Sequence, residues 1–276
     1  MKLSLSMENV CSLFFELSNE GRLSIMLELE KEPLKLTHIS KKLDLTSSES
    51  HRQLSRLSET KLIVKDIEGF FSLTPFGEQA LKWIPGYRFI SDNSEYFQSH
   101  TLSNLPSALL SRLGELSGCM FSNDALVSVS NIETMIREAD EFIETIADQF
   151  LLSAYPLVSE AVKRGVHIKT IDPVVYRPSL QVKGEVSEED KKTLSQAAED
   201  GRLISRKIEQ FDVFLWMSEK EFAILSFPTF NGKFDYLGFT SKNIRALKWC
   251  KDLFSYYWES AELKHELTFA RPYEAE

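Results

Sequence analysis

Residues 37–83 read THISKKLDLTSSESHRQLSRLSETKLIVKDIEGFFSLTPFGEQALKW, and this stretch decides how the first third of the chain folds. Thr37–Leu43 predicts a short helix with Ile39 and Leu43 facing inward. Asp44-Leu45 turns the chain, and Thr46-Ser47-Ser48-Glu49 has the form of a capping box, a hydroxyl and a carboxylate three residues apart serving each other's amides. The helix that follows carries Ser50, Leu54 and Leu57 on one face and Ser47, Ser48, His51, Arg52, Ser55 and Arg56 on the other. Leu62–Leu73 alternates as two short strands around the turn Asp66-Ile67-Glu68-Gly69. Thr74-Pro75 caps one more helix, with proline at its first position, ending near Trp83.

Upstream, Leu13, Leu17 and Arg22–Leu29 predict early helical segments interrupted at Gly21, and Glu32-Pro33 stops them, because a residue before proline leaves the α region. Helix, short helix, turn, capped helix, hairpin is the order of a winged helix-turn-helix, and that order points to DNA. Small residues at a helix start let the backbone approach the major groove with the positive dipole end toward phosphate. The candidate contacts are Lys42, Thr46, Ser47, Ser48, His51, Arg52, Ser55 and Arg56, with Lys65 at the hairpin base beside the adjacent backbone.

Charge supports a split chain. The net is −9 over 276 residues, which taken whole argues against a nucleic-acid binder. Residues 33–65, however, hold seven basic side chains against three acidic ones. Residues 1–84 come to −1 and residues 85–276 to −8. The length suits two modest domains, and a 43% apolar, 26% charged composition is that of a globular protein. No apolar run approaches the roughly eighteen residues of a spanning helix. Glu8 and Asn9 interrupt the stretch where a signal peptide would be apolar, so the chain is read as cytoplasmic. Cys11, Cys119 and Cys250 show no ligand spacing and are read as free thiols; no metal and no cofactor is expected.

Residues 85–125 read as a connector, with a loop leading into a short helix around Ala108–Leu113. From 126 the texture alternates. Ser130–Glu133 has the form of a second capping box, starting a helix through Ile132, Met135, Ile136 and Ala139. Glu141–Ala147 predicts a strand, Ala154–Val162 a helix closed by Lys163-Arg164-Gly165, and Val166–Ile171 a second, parallel strand. Residues 178–190 read as a polar loop, with Ser187 capping a charged helix to about Asp200. Strands follow at Leu203–Ile208, Asp212–Met217 and Glu221–Phe227, then a turn at Asn231-Gly232. Last comes a helix from Asn243 to about Leu263 whose aromatic face suits either a core or a dimer interface. The fold class is therefore an α+β winged helix-turn-helix (1–84), a connector (85–125), and an α/β sensor-type domain with a C-terminal aromatic helix (126–276).

Residues 10–83 resemble archaeal winged-helix regulators of the ArsR/MarR type. The resemblance is carried by Phe15-Glu16-Leu17-Ser18 with Arg22, by Ile39–Leu43, by Ser47–Leu57 and by Leu73-Thr74-Pro75-Phe76-Gly77. The later part resembles the middle domain of the archaeal filament/methanogenesis regulatory family, through Ala161–Val166, Phe227-Pro228-Thr229 with Gly232 and Asp235, and Trp249–Phe254 before Tyr257-Trp258. The resemblance implies a transcriptional regulator whose second domain is phospholipase-D-like. Catalysis of that kind would need H-x-K-x(4)-D, whereas His167-Ile-Lys169-Thr-Ile-Asp172 brings the acid two residues early, and none of the other four histidines has a lysine two residues on. The chain is therefore not expected to be an enzyme; activity lost in His167→Ala would reverse that.

The reading that follows is a homodimeric DNA-binding regulator, with double-stranded DNA as partner and a second domain that senses a small molecule or mediates assembly. Strand ends of an α/β domain favour ligands, which nominates Asp172, Tyr176, Arg177 and Trp216 as effector contacts. The alternative is a winged helix used for protein contacts, without DNA.

Overall fold

Pro33 and Asp44 set the geometry of the first unit, Met1–Pro85. In the computed structural model, which describes residues 2–148, 151–174 and 186–263, α1 (Lys2–Leu17) and α2 (Glu20–Lys31) come first. The chain then extends ahead of Pro33 into β1 (Leu34–Lys35). Helix α3 (Leu36–Leu43) stops where Asp44 turns left-handed, φ 52°. Helix α4 (Ser47–Glu59) starts on Thr46, whose Oγ1 accepts from the Glu49 amide at 3.2 Å. Strands β2 (Ile63–Lys65) and β3 (Phe70–Leu73) form the hairpin. At its turn the Asp66 carboxylate accepts from the amides of Glu68 and Phe70, and Gly69 takes φ 91°. Thr74 caps α5 (Pro75–Leu81). The antiparallel sheet runs β1-β3-β2. Ile25, Met26, Ile39, Leu54, Leu57 and Leu62 are its buried core, each worth about 1.5–3 kcal/mol of transfer free energy.

Gly21 does not interrupt a helix: it lies in the first turn of α2, and the break falls at Ser18-Asn19, where the Asn19 side chain caps by accepting from the Arg22 amide. The two-residue β1 was not anticipated; its existence depends on β3, more than thirty residues away.

The second unit, Gly86–Glu276, is built on an eight-stranded mixed sheet of order β11-β7-β6-β5-β8-β9-β10-β4. Its elements begin with α6 (Ile84–Asp92, entering from the boundary), α7 (Ser94–Phe97), α8 (Ser107–Leu110) and a 3-10 turn at Leu113–Leu116. Then come β4 (Met120–Ser122), α9 (Ala125–Glu138), β5 (Phe142–Ile146), α10 (Ala154–Lys163), β6 (His167–Pro173), α11 (Glu188–Glu199) and β7 (Leu203–Ile208). The hairpin β8 (Phe214–Ser218) and β9 (Phe222–Ser226) precedes β10 (Gly238–Ser241), α12 (Ile244–Ser260) and β11 (Glu262–Leu263). Strands β5, β6 and β7 are parallel, and the rest pair antiparallel. The crossover helices close on glycine where expected: Gly165 takes φ 97° after α10.

Residues 86–125 belong to this unit, with Phe89, Tyr96, Leu105, Leu109 and Leu113 in its core and β4 at its sheet edge. The second capping box is wrong. Asp124 already caps α9, its Oδ1 accepting from the Leu126 amide at 2.8 Å, so Ser130 stands inside the helix. The last helix ends at Ser260, because Glu262-Leu263 pair with β7. Residues 178–185 of the expected polar loop lie outside the described residues. The aromatic face of α12 is core: Trp249, Cys250, Leu253, Phe254 and Tyr257 are buried within the unit, and the Trp249 indole donates to the Leu109 carbonyl.

Candidate nucleic-acid interface

Helix α4 is held by its apolar side. Ser50, Gln53, Leu54 and Leu57 are buried, which turns Ser47, Ser48, His51 and Arg52 to solvent, with Ser55 half-buried beside them. From Ser47 to Ser55 this face carries no carboxylate; Glu59 follows at the end of the helix, 3.7 Å from Arg56. Thr46 is exposed at its start, and the first-turn amides give it positive partial charge. Arg52 pairs with no carboxylate among the described residues. At the hairpin base Lys65 is exposed, its ammonium 5.5 Å from the Phe71 ring, and Lys35 lies 4.6 Å over Phe70. Ile67 at the turn is fully exposed.

Two of the nominated cations are occupied. Arg56 folds back on Glu16, with Nη2 2.7 Å and Nε 2.9 Å from Oε1. That hydrogen bond raises the guanidinium above its ordinary range. Lys42 reaches Glu32 at 2.8 Å and Glu28 at 3.4 Å; the bond to Glu32 leads in raising its ammonium. What the sequence reading missed is the partner, Glu16. It is 1% exposed and sits between Arg56 and the buried Arg22, which also donates to the Phe15 carbonyl and to Gln53. The junction of α1 and α2 is thereby tied to α4. Lys41 and Lys61 are further exposed cations in this segment that were not nominated.

In the second unit, strand register puts Trp216 opposite Thr145, Thr145 opposite Thr170, and Thr170 opposite Ser205, all on one sheet face. Asp172 is two residues from Thr170 on that face. Its carboxylate accepts from Thr170 at 3.0 Å and Ser205 at 2.9 Å, and Thr145 donates to Thr170 at 2.9 Å. The indole Nε1 of Trp216 is buried without a hydrogen-bond partner. The structure thus brings Asp172 and Trp216 to one face, while Tyr176 and Arg177 lie outside the described residues. Just past β5, burial pushes the Asp148 carboxyl up to about 6, against the Tyr236 hydroxyl that donates to it at 3.1 Å.

His167 and Lys169 alternate onto the other face of β6 from Asp172, and Lys169 lies 5.4 Å from the Trp258 ring. Among the described residues there is no cluster of three His, Cys, Asp or Glu side chains that could hold a metal. No helix among them is long and apolar enough to cross a membrane.

No known protein family and no curated protein matches the chain. Solved structures similar to it include TrmBL2, an archaeal chromatin protein whose structure shows a novel mode of DNA binding (16% identity over 88% of this chain and 94% of that one, TM-score 0.41). NucT from Helicobacter pylori is similar over 53% of this chain and 98% of its own (8% identity, TM-score 0.38). Nuc from Salmonella typhimurium, a phospholipase D family member, is similar over 54% and 97% (14% identity, TM-score 0.36).

Proposed function

We propose that this chain is a cytoplasmic, sequence-specific DNA-binding regulator. Its first unit works as a winged helix-turn-helix and two copies read a roughly palindromic site. The observation that carries the reading is the outer face of α4 from Ser47 to Ser55, which holds no carboxylate, with an unpaired Arg52 on a helix whose capped N-terminus is open, and Lys65 on the neighbouring hairpin. In a major groove, the Ser47 and Ser48 end would meet phosphate through backbone amides while Arg52 reaches a guanine edge or a phosphate. The second unit supplies assembly or effector control. Its polar row Thr145, Thr170, Asp172 and Ser205, beside the Trp216 indole, suits a small polar molecule able to accept from that N–H. No catalytic step is part of this reading, since His167 and Lys169 do not share a face with Asp172.

One observation favours a second reading. With Lys42 and Arg56 tied to carboxylates, the face is less basic than its sequence, as a protein-binding surface would be. Binding to the chain's own upstream DNA at two salt concentrations, against random competitor, separates the two. DNA binding requires tight, salt-sensitive association that survives competition. Arg52→Ala should weaken it and, if Arg52 meets a phosphate, shrink the logarithmic salt slope by about 0.9. Affinity no better than for random DNA leaves the protein-contact reading.

A further inference from the structure

Residues 116–132 carry one charged side chain, Asp124, in a chain that is 26% charged. That aspartate is spent internally as the cap of α9. Yet the stretch is on the surface. Met120 is 69% exposed, Phe121 41%, Leu126 79% and Val127 47%. These four fall within eight residues: β4 ends at Ser122, whose hydroxyl donates to the Asp124 carbonyl, and α9 begins at Ala125. Phe121 turns to the opposite face of the sheet, against Tyr96 and Phe239, so the exposed apolar side chains beside the edge are Met120, Leu126 and Val127, roughly 300 Å² in water, at the low end of the largest patch on a monomer.

Beneath the side chains is a second unmet demand. Strand β4 ends the sheet: it pairs with β10 on one side, and among the described residues no strand pairs with its outer edge. Exposed edges are ordinarily blunted by shortness, lysine, proline, a bulge or an inward charge, and at three residues β4 has only the first of these. The sequence Cys119-Met120-Phe121-Ser122 carries no lysine, proline or charge. The opposite edge strand, β11, is two residues long and includes Glu262.

We propose that β4 is a homodimer interface, pairing antiparallel with β4 of a second copy about Phe121, so that Met120 of each copy lies opposite Ser122 of the other and one sheet continues across both. The occupant is a copy because the surface complements itself. An antiparallel pair of one uncharged strand needs no partner of different sequence, and a two-fold axis applies the same patch twice. The remaining surface argues for the same occupant: a chain of net charge −9 repels its copy except where charge is absent. Two patches of roughly 300 Å² plus the paired backbone come to about 800 Å², the size of a weak, concentration-dependent interface. The aromatic face of α12, the other candidate, is buried within its own unit. The proposal supplies the second DNA head that the regulator reading requires and rests on that reading in this respect alone.

The test is sedimentation equilibrium of the full chain without DNA, so that it does not depend on DNA binding. Wild type should be dimeric, and the pair Met120→Lys with Leu126→Lys should raise the dimer Kd roughly 100-fold. Both side chains are mostly in solvent, so the melting temperature of the monomer should hold. Register has its own probe: Met120 of one copy faces Ser122 of the other, close enough for a disulfide between cysteines placed there. Met120→Cys with Ser122→Cys in a Cys11→Ser, Cys119→Ser background should give a covalent dimer on mild oxidation, lost when either new cysteine is omitted. A monomeric wild type, or a double-lysine variant that still dimerises, overturns the interface whatever the DNA result. An uncross-linked but dimeric Met120→Cys, Ser122→Cys protein overturns the pairing about Phe121. Dimerisation lost as predicted, alongside no specific DNA binding, would uphold the interface and remove the regulator reading.

Discussion

Replacing Glu16 with glutamine removes one charge and almost no volume, at the point where α4 is tied to the junction of α1 and α2. The carboxylate is 1% exposed. Its Oε1 accepts from Arg56 at 2.9 Å, and its Oε2 lies 3.1 Å from Arg22 Nε. The hydrogen on that Nε is aimed at the Glu16 carbonyl oxygen, 3.0 Å away, so Oε2 receives charge without a hydrogen bond. The amide would leave two guanidinium groups facing each other with no anion between them. The Arg22 side chain is 10% exposed, and breaking a buried pair costs about 3–5 kcal/mol. Arg56 is 46% exposed, so its share is that of a surface pair, about 0–1 kcal/mol. Arg22 keeps the Phe15 carbonyl at 2.8 Å and Gln53 at 3.3 Å, which selects the lower end. The expected loss is about 3 kcal/mol from the first unit. For a unit of its size each kcal/mol moves the melting point by about 4–8 °C, so its calorimetric transition should fall by roughly 12–24 °C. The transition of the second unit should stay in place, and Arg56→Ala should remove only about 1 kcal/mol. A Glu16→Gln loss below about 1 kcal/mol in urea or by calorimetry would refute the claim that this carboxylate anchors α4.

Two glycines should respond to alanine with opposite signs. A Cβ at Gly77 would stand 2.1 Å from the Leu62 carbonyl oxygen, which also accepts from the Thr74 amide, so α5 must move and Gly77→Ala should cost about 2–3 kcal/mol in urea denaturation. At Gly21, in the first turn of α2, the nearest atom is the Asn19 side-chain oxygen at 3.4 Å, and Gly21→Ala should gain about 0.5 kcal/mol, less than the full interior value. Asp148 gives a pH dependence. Its carboxyl titrates near 4 when unfolded and at about 6 when folded, so between those values the folded state holds the extra proton. Stability therefore falls as pH rises from about 4 to 6 and levels off above. Asp148→Asn should flatten that fall and raise stability at pH 7 by up to about 3 kcal/mol, leaving pH 4 unchanged; melts at the two pH values read it directly. A variant equally stabilised at both would disprove the buried-carboxylate account.

What was legible in the sequence is what the chain decides within a few residues. Thr46, Thr74 and Ser187 cap helices because a hydroxyl oxygen needs only the next two or three amides to act, and the helix read from Asn243 does begin there. The parallel unit β5-α10-β6 was readable from its periodicity and its closing Gly165. Ser130 failed by the same locality: its motif is sound, but Asp124 had already started the helix six residues earlier, and one helix takes one cap. Strands β1, β4 and β10 escaped because two to four residues carry no period. They become strands through partners such as Phe71 for Leu34 and Phe239 for Phe121, the latter more than a hundred positions away.

The same distinction governs the candidate site. Seven basic residues between 33 and 65 promise seven phosphate contacts when counted along the chain. In the fold, Arg56 belongs to a glutamate forty residues upstream and Lys42 to two glutamates of the preceding helix and its end. Charge already neutralised at short range releases few counterions on binding, so those two drop out of the salt dependence. Five remain: Lys35, Lys41, Arg52, Lys61 and Lys65. At about 0.9 per contact, one head on duplex DNA should give a logarithmic salt slope no steeper than about −4.5, whereas the sequence count would give about −6. A slope near −6 from a single half-site would mean that DNA pulls Arg56 or Lys42 off its carboxylate. In that event Glu16→Gln should strengthen binding to that half-site at the same time as it destabilises the unit.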